Sequence, residues 1–297
     1  MKKKIITILI ALILIAVIII TSIKLSSKEN TNNDLTTIRL AEVTHSVFYA
    51  PMYVAIENGY FESEGIEIDL ILTPGADKVS AAVLSDTVDV GFAGTESSIY
   101  VYAGGESDYL VTFAGLTKRD GQFILARDCS SKFELSDLYG KEILVGRAGG
   151  MPAVNFLNAM KNAGMDVNKI NVNYSIDFAS LSGSFIGGVG DYVNLFEPTA
   201  TTVVNVSDAC IVDSIGRLSG EVPYTAFYAR KSYLEENEEL LLGFTRAIAK
   251  GLEFVLNNDS KTTASVILPE FPDSALNDII TIIDNYKEYD SWLTTPY

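Results

Sequence analysis

The chain has 297 residues, 48% of them hydrophobic, and a formal net charge of −16. Four of its 22 basic residues fall in the first 24 positions, so residues 25–297 carry 18 basic against 38 acidic residues, a net charge of −20. A surface this acidic excludes phosphate-backbone recognition, which needs clustered lysine and arginine, so no nucleic-acid partner is expected. It equally disfavours peripheral docking on anionic lipid.

The first segment, MKKKIITILIALILIAVIIITSIK, differs from everything after it. Lys2, Lys3 and Lys4 precede an uncharged run from Ile5 to Ile23. At 1.5 Å per residue that run spans roughly 28 Å, about a hydrocarbon core. No small-x-small cleavage pattern follows it, and no cysteine stands where a lipoprotein would be acylated. Residues 1–24 are expected to form an uncleaved signal anchor, with a cleaved signal peptide as the alternative. The lysines place the N-terminus in the cytoplasm and the rest outside. Residues 25–37, with SSKENTNNDLTT, are polar and lack apolar periodicity, so they read as a tether. About 260 residues remain, enough for two lobes with their own cores.

From there strands and helices alternate. TIRLAEV reads as a strand, and PMYVAIEN as a helix with proline in its first turn and Gly59 past its end. Ile66, Ile68, Leu70 and Leu72 mark a strand, ADKVSAAVLSD a helix, VDVGFAG a buried strand, SSIYVYAGG a helix and YLVTFAG a strand. A second block repeats the order: GQFILAR (strand), LSDLYG (short helix), EILVG (strand), PAVNFLNAMKNAG (helix), INVNYS (strand), DFASLSGSFIGG (helix), DYVNLFE (strand), PTATTVVN (helix) and ACIVDS (strand). YTAFYAR is the last strand, and only helices follow. Leu241, Phe244, Ile248, Leu252 and Val255 recur at spacings of three and four, one apolar helix face. This alternation implies α/β architecture with mostly parallel strands.

In open α/β sheets ligands bind outside the carboxyl ends of the strands. The turns there read THSVFYAP, TPGADK, AGTESS, TKRDGQ, GRAGGMP and LFEPTA. Each is rich in glycine, serine, threonine or proline and opens a helix, where unpaired backbone N–H groups can hold an anion or a polarised carbonyl. Gly149, Gly150 and Met151 before Pro152 allow close backbone approach; turn and capping roles compete at every such position. His45 is the only histidine, and Ser46 beside it is poorly placed to be an activated nucleophile. With no G-x-S-x-G elbow, His45 reads as a ligand contact or a structural residue before a catalytic one. Phe48 and Tyr49 offer a flat apolar wall, or cap the core. Glu96, Asp191 and Glu197 lie near strand ends. If any faces the cleft, an oxyanion is disfavoured and a ligand with N–H donors is favoured; helix capping is the competing role of Glu96. Cys129 and Cys210, 81 positions apart, read as two separate semi-buried thiols. No cysteine, histidine and carboxylate cluster has metal-ligand spacing, so neither metal nor cofactor is expected.

The stretch THSVFYAPMYVAIENGYFESEGIEIDLI, then GADKVSAAVLSDTVDVGFAGTESSIYVYAGG, GRAGGMP, GDYVNLFEPTA and SGEVPYTAFYARKSY, resembles the extracellular solute-binding proteins of ABC importers. It is similar to the branch that groups nitrate, sulfonate and taurine binders with binders of thiamine-pyrimidine precursors. The resemblance covers roughly residues 38–295. It implies a two-lobed periplasmic-binding-protein type II (Venus-flytrap) fold, with residues 38–115 plus 215–297 as one lobe and 116–214 as the other. It further implies no enzymatic activity, a monomer on the extracytoplasmic face of the membrane, and a permease with its ATPase as partners. The implied ligand contacts are His45, Ser46, Tyr49, Gly75, Thr95, Glu96, Gly149, Gly150, Met151, Asp191 and Glu197, with Tyr224 and Asp120 added. A nitrogen heterocycle is the expected ligand class, with sulfonate, taurine or nitrate as the alternative. The chain departs from the family in lacking the lipobox cysteine and in stopping after DSWLTTPY, where a further helix is expected. The same fold family includes pyrimidine-forming enzymes that consume a histidine and hold pyridoxal phosphate on a lysine. In that competing reading His45 is a reactant.

Overall fold

A computed structural model of the chain describes residues 35–297. The expected anchor and most of the expected tether lie outside the described residues. The first strand, β1, already begins at Thr36, so the last two tether residues belong to the sheet. Among the described residues no helix is long and apolar enough to cross a membrane.

Two five-stranded sheets carry the fold. The first has the order β2–β1–β3–β10–β4, from β1 (Thr36–Glu42), β2 (Ile66–Leu72), β3 (Val90–Gly94), β4 (Leu110–Thr117) and β10 (Thr225–Arg230). The second has the order β7–β6–β8–β5–β9, from β5 (Gln122–Ala126), β6 (Glu142–Leu144), β7 (Asn171–Asn173), β8 (Tyr192–Phe196) and β9 (Cys210–Ser214). Pairing is parallel except at β10, which runs antiparallel to β3 and β4, and at β5, which runs antiparallel to β8 and β9. The exceptions share a cause. β4 ends at the side facing the other lobe, the chain crosses at 118–121, and β5 must then leave in the opposite sense. β9 returns to that side, the chain crosses back, and β10 leaves again. The cleft side therefore meets the carboxyl ends of most strands but the amino ends of β5 and β10.

The helices follow the apolar periodicity. α1 (Ala50–Glu57), α2 (Ala76–Leu84) and α3 (Glu96–Ala103) flank the first sheet. α4 (Met151–Asn162), α5 (Leu181–Ile186), α6 (Thr199–Val206) and α7 (Ile215–Ser219) belong with the second. α8 (Lys231–Glu236), α9 (Glu238–Asn257), α10 (Ser260–Ile267) and α11 (Leu276–Glu288) complete the chain. On α9 the stripe Leu241, Phe244, Ile248, Leu252 and Val255 is buried throughout. Phe244 packs edge-on to Phe227, which stacks on Phe92 at 4.2 Å. Each such side chain contributes roughly 1.5–3 kcal/mol through apolar burial. α7 departs from the expected lobe: Ile215 is fully buried in the second-lobe core with Ile124, Ile143 and Phe156. Its serine N-cap, Ser214, starts the helix immediately after β9.

The cysteines also differ from expectation. Cys129 and Cys210 form a disulfide, with Cα atoms 6.1 Å apart. Pairing of Ala126 with Cys210 in the β5–β9 ladder brings the loop after β5 back to β9, a proximity that 81 positions of sequence conceal.

Candidate functional site

A cavity of about 160 Å³ lies between the two lobes. A cavity of that size takes a small molecule, on the order of one aromatic ring. Tyr49, Phe178, Phe196 and Tyr224 supply aromatic walls. The charged lining residues are Asp77, Lys78, Glu96, Arg147 and Asp177. The first lobe adds Val43, Thr44, Pro74, Gly75, Ala76, Gly94 and Thr225, and the second adds Val145, Gly146, Gly150, Met151, Pro152, Ala179 and Ser180.

Three contacts join the lobes beside this cavity. The Met151 N–H at the start of α4 donates to Glu96 Oε1 (2.8 Å), and Tyr100 Oη donates to the Gly149 carbonyl (2.9 Å). Arg147 Nε stands 3.2 Å from Asp77 Oδ1. Both members of that ion pair are exposed, so it contributes little stability. All three land on residues 147–151, so the two lobes touch beside the cavity. Glu96 caps a helix, as its competing role required, but the helix belongs to the other lobe. Burial pushes the Glu96 carboxyl above its ordinary range, against the pull of the Met151 N–H.

Of the residues expected at the site, Tyr49, Gly75, Glu96, Gly150, Met151 and Tyr224 line the cavity. Gly149 sits at the rim, its carbonyl taken by Tyr100. Thr95 donates its hydroxyl to the Pro223 carbonyl (2.6 Å), fastening the β3 end to the second crossing. Ser46 is fully buried and donates across the lobes to the Glu197 carbonyl.

Three expected contacts turn elsewhere. His45 does not line the cavity: its Nδ1 lies 2.7 Å from Glu42 Oε1 and its Nε2 2.8 Å from the Glu270 carbonyl oxygen. Its ring packs on Phe271 at 4.7 Å. Burial pulls this imidazole down, but Glu42 and Glu270 together outweigh it and hold it above its ordinary value. Asp191 precedes β8 and so sits at that strand's amino end, where its carboxylate accepts from Glu142 N–H (2.9 Å). Glu197 is at the correct end of β8, yet its carboxylate turns onto α6 and accepts from the Thr201 N–H (2.8 Å) and hydroxyl (2.9 Å). A free helix N-terminus is a stronger partner for a buried carboxylate than an apolar cavity.

Asp120 lies in the first crossing rather than on the cavity wall. It accepts from Gln122 N–H (2.8 Å) and Asn155 Nδ2 (2.9 Å), and burial pushes it up to about 7. Its sign follows from linkage: a carboxyl raised in the folded state contributes stability below its ordinary value near 3.8, lost as pH rises to about 7. Urea midpoints measured from about pH 4.5 to 6.5 are therefore expected to fall with rising pH more steeply in the wild type than in Asp120→Asn. Parallel profiles would place the slope elsewhere.

Sequence reading missed Thr225, Phe178, Phe196, Asp77, Lys78, Arg147 and Asp177 as cavity residues. Most stand inside turns already singled out: Asp77 and Lys78 in TPGADK, Arg147 in GRAGGMP, Phe196 in LFEPTA. Asp177 and Phe178 follow β7, so the strand-end rule itself could have found them. Thr225 opens β10 and reaches the cavity only because that strand runs antiparallel.

Residues 47–262 match the family model described as NMT1/THI5 like. The binding-protein relative YtlA of Bacillus subtilis, so named without a stated ligand, is 41% identical over 263 residues, covering 88% of this chain and 79% of that protein. The formylaminopyrimidine-binding protein of Halalkalibacterium halodurans is 26% identical over 290 residues, 94% of this chain and 78% of that protein. A 4-amino-5-hydroxymethyl-2-methylpyrimidine phosphate synthase of Aspergillus parasiticus is 25% identical over 221 residues, 70% of this chain and 63% of that protein. Among solved structures, the alkanesulfonate-binding protein SsuA of Xanthomonas axonopodis pv. citri, bound to MOPS, superposes with a TM-score of 0.68 at 15% identity, covering 84% of this chain and 83% of that one. The chain therefore belongs to the NMT1/THI5-like family and has the two-lobed α/β fold of the periplasmic binding proteins.

Proposed function

We propose that this chain is the extracytoplasmic solute-binding component of an ABC importer, held at the membrane by residues 1–24, and that it delivers a small planar nitrogen heterocycle to a permease and its ATPase. The observation that carries this reading is the small aromatic-walled cavity between two lobes that touch beside it at residues 147–151. Apolar walls with a few convergent polar groups suit capture and release of a small molecule. Tyr49, Phe178, Phe196 and Tyr224 suit a flat ring. Three carboxylates against two cationic side chains on the lining favour a ligand that brings N–H donors. The relative named for formylaminopyrimidine binding points the same way.

Arg147 and Lys78 on the same lining favour the second reading, a sulfonate, taurine or nitrate ligand. A pyrimidine-forming enzyme that consumes His45 is disfavoured, because both imidazole nitrogens are engaged outside the cavity.

The test is a thermal-shift screen of residues 36–297 with aminopyrimidines, thiamine, riboflavin, taurine, alkanesulfonates, nitrate and polyamines. A ligand at about 100 times its dissociation constant adds about 2.7 kcal/mol. For a protein of this size the melting temperature then rises by roughly 5–10 °C. A heterocycle is expected to produce that shift. A shift with sulfonate, taurine or nitrate alone would replace the heterocycle by the second reading. A cooperatively melting protein that responds to nothing would count against solute capture itself.

A further inference from the structure

Nine buried side-chain atoms among the described residues lack a hydrogen-bond partner. Six of them, on Ser97, Arg119, Gln122, Asn194 and Ser291, lie off the cavity. The other three are Glu96 Oε2, Tyr224 Oη and Thr225 Oγ1, and all three residues line it. Their relative exposures are 8%, 3% and 2%, so each is more than nine-tenths buried.

The backbone gathers these three on one wall. Thr225 pairs with Gly94 across the β10–β3 ladder, and Glu96 follows Gly94 by two positions. The Thr95 N–H donates to the Tyr224 carbonyl (3.2 Å), locking the second crossing to the start of α3. Gly94 leaves room for the carboxylate to fold back over the strand: a Cβ there would meet Glu96 Oε2 at 2.1 Å. Glu96 Oε1 is already committed to Met151, so Oε2 is the oxygen left for a ligand. Buried polar groups are nearly always paired in native proteins, so Glu96 Oε2, with the Tyr224 and Thr225 hydroxyls on the same wall, marks where a ligand's polar atoms belong.

We propose that Glu96, Tyr224 and Thr225 form a polar-edge subsite that recognises an N–H donor placed beside an acceptor, the amidine edge of an amino-substituted nitrogen heterocycle. The inference rests on the reading of this cavity as the solute site. A carboxylate only accepts, so Oε2 takes the exocyclic N–H. The Thr225 hydroxyl, which also faces Tyr49, can donate to the neighbouring ring nitrogen, and the Tyr224 hydroxyl is shared between the cavity and the Asp120 carboxylate behind it. A sulfonate or nitrate offers acceptors alone; it satisfies the hydroxyls but sets like charge against Glu96. The aromatic walls hold the ring, and this subsite selects the edge.

Isothermal titration of residues 36–297, which form their own compact unit, distinguishes the possibilities. The probes are 4-aminopyrimidine, 4-methylpyrimidine, which keeps the ring nitrogen but lacks the donor, and methanesulfonate. The wild type is expected to prefer the amino compound by about tenfold or more, since a bond to a charged group is stronger than one between neutral groups. In Glu96→Gln that preference collapses. In the isosteric variant Thr225→Val, affinity for 4-aminopyrimidine drops by about three- to tenfold. Asp69→Asn, on the exposed face of β2 and off the cavity lining, leaves the preference intact. If both site variants bind 4-aminopyrimidine like the wild type, water satisfies these atoms; the subsite is then wrong while solute capture stands. Binding of methanesulfonate alone overturns the subsite in the same way. Failure of every probe here and in the wider screen removes both readings.

Discussion

Replacing Cys129 and Cys210 together by alanine is expected to lower the unfolding free energy of the second lobe by about 4 kcal/mol. The disulfide closes a loop across 81 positions of chain, which removes conformational freedom from the unfolded state. In the chain-entropy model a loop of that length is worth about 4.5 kcal/mol, an upper figure because residual structure in the reduced, unfolded chain lowers it. Urea unfolding of the oxidised wild type, the reduced wild type and the double variant checks this. The last two should coincide, well below the first. Agreement of all three within about 1 kcal/mol would mean that the link does not constrain the unfolded chain.

The second large effect belongs to the first crossing. Gly121→Ala is expected to cost about 3 kcal/mol, because overpacking a filled core forces side chains and backbone apart. A Cβ at Gly121 would stand 2.5 Å from the Phe48 ring. Phe48 cannot yield: it is fully buried, with the rings of Tyr49, Phe196 and Tyr286 at 5.5, 5.6 and 5.1 Å. The Gly121 backbone is held as well, since its carbonyl accepts from Tyr286 Oη (3.0 Å). The expected fall in melting temperature is roughly 6–12 °C. Ligand binding should weaken in parallel, because Phe48 backs Tyr49 and Phe196 on the cavity wall. Adding Phe48→Leu should recover part of the loss. A single variant that melts within about 2 °C of the wild type would show that the crossing has slack the packing does not reveal.

The THSVFYAP turn after β1 divides its side chains between two tasks. Its aromatics serve the cavity and the crossing, with Tyr49 on the wall and Phe48 beneath Gly121. His45 instead ties the end of β1 to the Glu270 turn before α11. The imidazole thus packs behind the wall, with Nδ1 2.7 Å from Glu42 Oε1.

The alternation of strands and helices was legible without a structure, because side-chain period and helix capping are local properties of the chain. The α9 stripe, the proline in the first turn of α1 and the turns that open the cavity helices all follow from neighbours a few positions apart. Even Tyr49, Glu96 and Gly150 could be named, since the strand-end rule needs only element order. What local pattern does not contain is strand direction after a crossing and the partner each polar side chain finds. Thr225 reached the cavity because β10 runs backwards, Asp191 missed it because it stands at the wrong end of β8, and Glu197 turned to α6. The Cys129–Cys210 bond and the Glu96 contact with the opposite lobe depend likewise on segments far apart in sequence. The sequence by itself determined the elements and the loops that carry the site. Only the tertiary structure decided which side chains face the cavity, because burial, hydrogen-bond partners and lobe closure are settled by contacts that sequence distance does not record.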